Sequence, residues 1–574
     1  CPMQNAIIMN SNGAALIGFV APFFGVVGRY PAVTAPISAG DISFNREERN
    51  EVESMKKFLK RAIVLLMAVA MVFSVTGCSS SGGDTSGGSQ AATTDPNQLV
   101  IARPEDSDNL DPVTQDGNVN IWLFGLTMEG LVRASDDGKS IEPWLAESWD
   151  INPEGTQYTF HLKPGVKFAN GTEVTTEDWI WSIERARDTE SSAWAFAMEA
   201  IESVEAPDEN TLVITLTEPW APILADLAMF NASVQSKAYY EEVGEEAYTQ
   251  APMGTGPFYF AEWQKGEYVL LEKNTNYWNP DEPKLDSVKF TVVPDDNSRV
   301  MQLQAGQVDA ITFVPWNRME ELDADPDIVA VGLPSTEVRN MIFNNTIEPL
   351  NGARVRRALA MATDLEELRD VALYGYGELA TSFMSVNGMY WNENVDYPEY
   401  DPEGAKELLT EAGYGDGFEI TLALDSGNTI HATMGTLLKE QWAEVGITLN
   451  LETLEKGTIN ERMNNLTLDL QIRPWTNDMA DPSQQADYSC IYDNAMCLMS
   501  GWQNDEVEAL VNEAKTELDP EKRQELYYEI QQMMADELPF FSMFYIPYPV
   551  AYRSNVENFI QTPLGAYRFQ ETTK

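Results

Sequence analysis

Between Asp401 and Trp475 the chain alternates apolar with polar positions, switches to a helical repeat, and alternates again. Asp401-Pro402-Glu403 offers an N-cap, a proline at the first helical position and an acid in the first turn. Ala405, Leu408, Leu409 and Ala412 then share one helical face, and Gly413 suits a left-handed stop. Phe418, Ile420, Leu422 and Leu424 have the period of a strand. A helix is predicted from about Ile430 to Val445, and Ile447, Leu449 and Leu451 alternate again. A short helix follows, and Leu466, Leu468, Leu470 and Ile472 make a third strand. Successive strands joined through helices pair in parallel, because only a long crossover reaches a parallel neighbour. The fold class predicted is therefore α/β.

Other segments extend this pattern. Leu99 to Ala102 reads as a first strand running into the polar loop Pro104–Asp111. Tyr158 to Leu162 and Thr211 to Leu216 alternate as strands, and Glu177 to Arg187 has helical spacing. Asp519-Pro520-Glu521 opens a second capped helix, which runs to Glu537 and is stopped by Pro539.

In open α/β sheets ligands bind beyond the carboxyl ends of the strands. The third strand runs out through Ile472-Arg473 into Pro474-Trp475-Thr476-Asn477-Asp478-Met479-Ala480-Asp481-Pro482, with a cation, a Trp, an Asn and two carboxylates. Val308 to Phe313 ends similarly in Val314-Pro315-Trp316. Two Trp-bearing loops, one from each lobe, predict a cleft.

A second kind of pattern lies upstream. Basic residues at Lys56, Lys57, Lys60 and Arg61 precede an uncharged apolar run from Ala62 to Val75, followed by Thr76-Gly77-Cys78 and a Ser/Gly/Thr-rich stretch. This is the order of a secretory signal, and Val75-Thr76-Gly77-Cys78 resembles a bacterial lipoprotein signal, in which the cysteine is lipidated and becomes the mature N-terminus. The expectation is a signal over 55–77, a lipidated Cys78, a flexible spacer over 78–95, and residues 1–54 as an over-extended translation with Met55 the true start. The apolar stretch Ala14–Val27 is interrupted by Pro22 and is shorter than the roughly 20 residues of a membrane span. No transmembrane helix is expected in the mature chain.

Charge narrows the function classes. Residues 1–77 hold seven of the 37 basic and five of the 90 acidic residues, which leaves 30 against 85, a net of −55, from Cys78 onward. Such a surface repels nucleic acid and a polybasic membrane contact, and it suits a soluble secreted protein. A hydrophobic content of 44% is that of a globular chain rather than a disordered one. Roughly 500 mature residues divide into about three domains. Besides Cys1 and Cys78, only Cys490 and Cys497 occur. Two cysteines close together in an exported protein read as one disulfide, with two free thiols the alternative.

Catalytic and metal chemistry find little support. His161 and His431 are the only histidines and lie far apart in sequence, so no His/Cys cluster builds a metal site. Asp425-Ser426-Gly427 imitates an aspartic-protease loop, but no second such triplet sits after a comparable apolar strand. Asp323, Asp325 and Asp327 alternate as in a calcium loop, yet Ile328 and Pro334 stand where that loop needs Gly and Glu. No cofactor is expected.

Several motifs, in this order, resemble the extracellular solute-binding proteins of family 5, the dipeptide, oligopeptide and nickel type that serve bacterial ABC importers. They include Asn109-Leu110-Asp111-Pro112, Pro143-Trp144-Leu145-Ala146-Glu147-Ser148-Trp149, and Tyr158-Thr159-Phe160-His161-Leu162-Lys163-Pro164-Gly165-Val166-Lys167-Phe168. Gly254-Thr255-Gly256-Pro257-Phe258, Asn276-Tyr277-Trp278, Leu303-Gln304-Ala305-Gly306-Gln307-Val308-Asp309 and Val355-Arg356-Arg357-Ala358-Leu359-Ala360 continue the series, which covers essentially all of 98–574.

The resemblance implies a two-lobed, periplasmic-binding-protein-like α/β fold with an extra third domain and a ligand cleft between the lobes. Lobe I is expected from 96–135, 251–340 and 541–574, the extra domain from 136–250, and lobe II from 341–540. It implies a binding function without catalysis: a monomer, lipid-anchored outside the cytoplasm, captures short peptides by hinge closure and delivers them to membrane permease subunits. Oligosaccharide or chelated nickel is the alternative ligand, and an exported hydrolase the alternative class. In the family's dipeptide binders an Asp in a Trp-x-x-Asp-x-x-Asp-Pro segment pairs with the ligand ammonium; Asp478 matches it. Arg473, Trp475, Asn477, Trp316 and Trp122 are the other candidate ligand contacts. The family's carboxylate-binding Arg has no motif match here.

Overall fold

The computed structural model describes residues 95–574. The expectations for 1–54, for the signal over 55–77, for Cys78 and for all but the last residue of the spacer lie outside the described residues. Among the described residues no helix is long and apolar enough to cross a membrane.

The first lobe is a seven-stranded sheet. Gln98–Arg103 lies within it, parallel to Ser287–Val292 on one side and to Ala310–Thr312 on the other. Its Leu99-Val100-Ile101-Ala102 run is buried on both faces, which explains why it is continuously apolar rather than alternating. Tyr268–Lys273 and Phe258–Gln264 extend one side of the sheet. Tyr548–Arg553 and Ile328–Leu333 extend the other.

The second lobe is a six-stranded sheet in the order Glu378–Leu379, Phe540–Tyr545, Val338–Phe343, Leu470–Trp475, Phe418–Asp425, Ile447–Leu454. Phe418–Asp425 is parallel to both Ile447–Leu454 and Leu470–Trp475, as the crossover argument requires. Helix Pro402–Glu411 starts where Asp401 accepts from the Gly404 amide at 2.9 Å, and it buries Ala405 and Leu409. Gly413 adopts φ +89°, the left-handed stop. Helix Thr429–Glu444 is capped by Asn428, and Pro520–Glu537 by Asp519. The third strand begins later than the apolar alternation suggests. Leu466 sits at φ 50°, with its amide bonded to the Met463 carbonyl in the turn that closes helix Lys456–Asn464, so pairing starts at Leu470.

The extra domain carries a four-stranded antiparallel sheet, Ala146–Ile151, Gln157–Leu162, Thr211–Leu216 and Ile201–Asp208. Helix Thr176–Asp188 begins in a Thr175–Asp178 capping box. Strand pairing sets boundaries different from those expected. Val338–Phe343 and Phe540–Tyr545 belong to the second lobe's sheet, so the two crossings between lobes are residues 334–337 and 546–547. Val132–Ala134 pairs with Ile141–Pro143, so the expected border at 135/136 falls inside a hairpin.

The expected disulfide is absent: Cys490 and Cys497 are both buried as free thiols. The chain from Met496 to Met499 runs through four consecutive left-handed residues, and the Cys497 thiol is directed onto the Ser489 carbonyl instead of the Cys490 sulfur.

Candidate functional site

The loop after Leu470–Trp475 is held from several directions. Thr336, in the first crossing segment, donates its hydroxyl to the Asn477 carbonyl (2.7 Å) and accepts from the Asn477 amide (3.0 Å). Asn477 Nδ2 donates to the carbonyls of Met479 (2.7 Å) and Asp481 (3.1 Å), so it braces the loop from within. Asp481 forms a buried bidentate pair with Arg523 at 2.6 and 2.8 Å. A pair of this geometry fixes orientation as well as charge.

Asp478 sits on this frame. Its backbone amide donates to Gln484 Oε1 (2.7 Å), and its Oδ2 accepts from Gln484 Nε2 (3.2 Å). Its other oxygen, Oδ1, is buried with no hydrogen-bond partner among the described residues. Burial pushes the carboxyl up to about 7, against the hydrogen bond from Gln484, which favours the charged form. A carboxylate poised in this way gains most from a cation brought to its free oxygen.

Asp478, Met479 and Ala480 line a cavity of ≈ 90 Å³. Facing them are helix Asn118–Thr127, with Trp122, and elements of the extra domain. The cavity has room for several waters, the scale of one amino-acid residue. Contacts across the cleft close it in: the Ala221 amide donates to the Lys515 carbonyl at 2.7 Å, and Phe196 meets the edge of Tyr488 at 6.1 Å. A larger cleft of ≈ 860 Å³ adjoins the same loop. It is lined by Thr476 and Pro474 of the second lobe and by Phe313 and Trp316 of the first.

The structure brings together only some of the expected contacts. Trp122 lines the cavity with Asp478; its ring stacks on Phe313 with centroids 5.8 Å apart, and its Nε1 is unpartnered among the described residues. Trp316 opens helix Trp316–Asp323, stacks on Tyr376 at 5.2 Å and lines the larger cleft. Arg473 lines neither space. Its guanidinium lies against Asn460 Oδ1 (3.4 Å) and Met463 Sδ on helix Lys456–Asn464. Trp475 also lines neither space, its ring packing on Tyr488 with centroids 4.5 Å apart. Asn477 is 6% exposed and committed to the loop.

Other residues of the site had no sequence signal. Gln484 is set beside Asp478 by the turn into helix Ser483–Cys490. Glu129, Arg133 and Arg568 reach the cavity from distant parts of the chain. Burial raises the Glu129 carboxyl, although Trp144, Thr255, Tyr277 and Trp278 all donate to it. Among the described residues no group of three or more His, Cys, Asp or Glu side chains is placed to hold a metal ion.

Residues 140–495 match the sequence profile described as Bacterial extracellular solute-binding proteins, family 5 Middle. The chain belongs to this family. It is 31% identical over 477 residues to Di/tripeptide-binding protein 1 of Pseudomonas aeruginosa, covering 77% of this chain and 88% of that one. It is also 31% identical over 464 residues to Heme-binding protein A of Haemophilus influenzae, covering 76% and 84%. Among solved structures, the periplasmic binding protein DppA from Helicobacter pylori in complex with the peptide STSA superposes with a TM-score of 0.72 at 28% identity, covering 83% of this chain and 98% of that one. The two-lobed α/β architecture is thus that of family 5. The family is one of bacterial extracellular solute-binding proteins, and the Helicobacter pylori protein among its relatives is ABC transporter-associated.

Proposed function

We propose that this chain is the receptor subunit of an ABC importer for short peptides, and that Asp478 receives the peptide's α-ammonium. The observation that carries the reading is the buried Oδ1 of Asp478, unpartnered among the described residues, on the wall of a residue-sized cavity. A charge-assisted hydrogen bond there contributes about 1.5–3 kcal/mol, and a neutral ligand end leaves the carboxylate uncompensated. The peptide's first residue occupies the cavity, and the rest of the ligand runs into the larger cleft past Thr476. Binding draws the lobes together about the two crossings, and the closed form is delivered to the permease. No step of this scheme is catalytic. The protein acts as a monomer held to the outer face of the cytoplasmic membrane by a lipid on Cys78, a reading supported by the basic, apolar and Val-Thr-Gly-Cys order of 55–78.

The test is calorimetric titration of the protein with alanyl dipeptides, their N-acetylated forms, haem, an oligosaccharide and nickel with histidine. Binding of free but not acetylated dipeptides, abolished by Asp478→Asn, is expected. Binding of haem, sugar or nickel alone would replace the peptide by that ligand.

A further inference from the structure

The Asp478 cavity has a second, oppositely charged wall. Arg133 and Arg568 both line it. The Arg568 side chain is 15% exposed, and its Nε is buried with no hydrogen-bond partner among the described residues. Its guanidinium makes one long hydrogen bond, to the Gly125 carbonyl at 3.4 Å, and Asp136 stands off at 3.9 Å. The Arg133 guanidinium carbon sits over Trp144, 3.8 Å from the ring centroid, and Arg133 donates to Glu142 at 3.3 and 3.4 Å, a pair whose carboxylate side chain is 46% exposed. The two arginines repel one another: burial first, and the Arg133 charge second, lower Arg568 to about 10. Glu129 adjoins them, but its oxygens are occupied by Trp144, Tyr277, Trp278 and Thr255. Two further donors on the cavity wall, Trp122 Nε1 and Thr562 Oγ1, also lack partners among the described residues. Asp478 therefore offers a free acceptor, and Arg568, Trp122 and Thr562 offer donors free among the described residues.

We propose that Arg133 and Arg568 form an anion subsite in the cavity, which selects peptides whose N-terminal residue carries a side-chain carboxylate. The proposal rests on the reading that Asp478 holds the peptide ammonium. With the ammonium fixed there, the group left inside a residue-sized cavity is the side chain of that same first residue. A carboxylate on it meets a planar donor fork and relieves the repulsion between two guanidiniums. The main chain leaves toward the larger cleft, so a carboxylate on the second residue does not reach the arginines.

The experiment is calorimetry on the purified protein with Glu-Ala, Gln-Ala, Ala-Glu, Ala-Gln and free glutamate. Glu-Ala is expected to bind about tenfold or more tightly than Gln-Ala, with no such gain for Ala-Glu over Ala-Gln. Arg568→Gln and Arg133→Gln should each pull the Glu-Ala to Gln-Ala ratio toward one. Equal binding of Glu-Ala and Gln-Ala by the unmodified protein overturns the subsite, and that comparison needs no variant to fold. Free glutamate binding as tightly as Glu-Ala assigns the arginines to a free amino acid and overturns the peptide form of the proposal. If dipeptides bind through Asp478 without preference for Glu, the subsite alone fails; if no dipeptide binds, the underlying reading fails with it.

Discussion

Peptide affinity should depend on pH through Asp478, and the form of that dependence can be worked out beforehand. The free carboxyl titrates at about 7 because burial disfavours its charge. A peptide ammonium requires the charged form, so binding expels a proton wherever the site is protonated. The apparent dissociation constant is then the intrinsic one multiplied by one plus the ratio of protonated to ionised carboxyl. Between pH 5.5 and 6.5 that factor falls about eightfold, and at pH 7 about half a proton is released per peptide bound. Above pH 8 affinity declines again as the peptide amine, with a pKa near 7.7–8.0, loses its charge. Calorimetry in two buffers of different ionisation enthalpy measures both the constant and the proton count. The sign for stability is opposite. The folded carboxyl titrates above its unfolded value, so without ligand the folded state is favoured below the unfolded pKa, and that advantage is lost as pH rises to about 7. At pH 8 the buried charge costs up to about 4 kcal/mol, so Asp478→Asn should raise the melting temperature of the ligand-free protein while abolishing binding. A pH-independent affinity from 5.5 to 7, or a variant that melts lower at pH 8, would refute this account of Asp478.

Four further outcomes follow from the same geometry. Gln484→Leu removes a hydrogen bond to the ionised form of Asp478, so the midpoint of the affinity profile should move to higher pH in the same calorimetric series. Gly565 adopts φ +88°, and a Cβ there would lie 2.0 Å from Trp122 Nε1; Gly565→Ala should lower stability by about 2 kcal/mol or more in urea unfolding. Arg523→Met leaves Asp481 buried and unpaired, at about 3–5 kcal/mol, and the urea midpoint should drop accordingly, with partial recovery when Asp481→Asn is added. Arg473→Gln should leave dipeptide affinity nearly unchanged by calorimetry, because that guanidinium faces Asn460 and Met463 rather than the cavity.

The sheets were legible wherever burial on one face imposed a period. Phe418–Asp425, Ile447–Leu454 and Thr211–Leu216 lie where alternation places them, and the capped helices begin at Asp401 and Asp519. Alternation misplaced the start of the third strand because Leu466 belongs to the left-handed turn that closes a helix, its side chain lying against Gly501 instead of joining the sheet. Proximity in sequence likewise misled for Cys490 and Cys497, which are buried free thiols, that of Cys497 bonded to the Ser489 carbonyl. The site was legible only as far as one loop carried it: Asp478 stood in a recognisable segment, whereas Arg473 and Trp475 in the same run point elsewhere. Arg133 and Arg568 could not be found from spacing, since only the packing of the extra domain and the C-terminal segment on helix Asn118–Thr127 brings them to one wall.

The two crossings between the lobes do not act as independent tethers. The Ile546 amide donates to the Glu337 carbonyl at 3.0 Å, and the Ser335 hydroxyl donates to the Ile546 carbonyl, so residues 334–337 and 546–547 are stitched into one ribbon. A single strap would let the lobes swivel; a stitched pair resists torsion and leaves bending as the soft coordinate. Thr336 belongs to this ribbon, and its hydroxyl also clasps the backbone of Asn477, one residue from Asp478. Force applied at the carboxylate therefore reaches the pivot through one side chain, with almost no slack in the linkage.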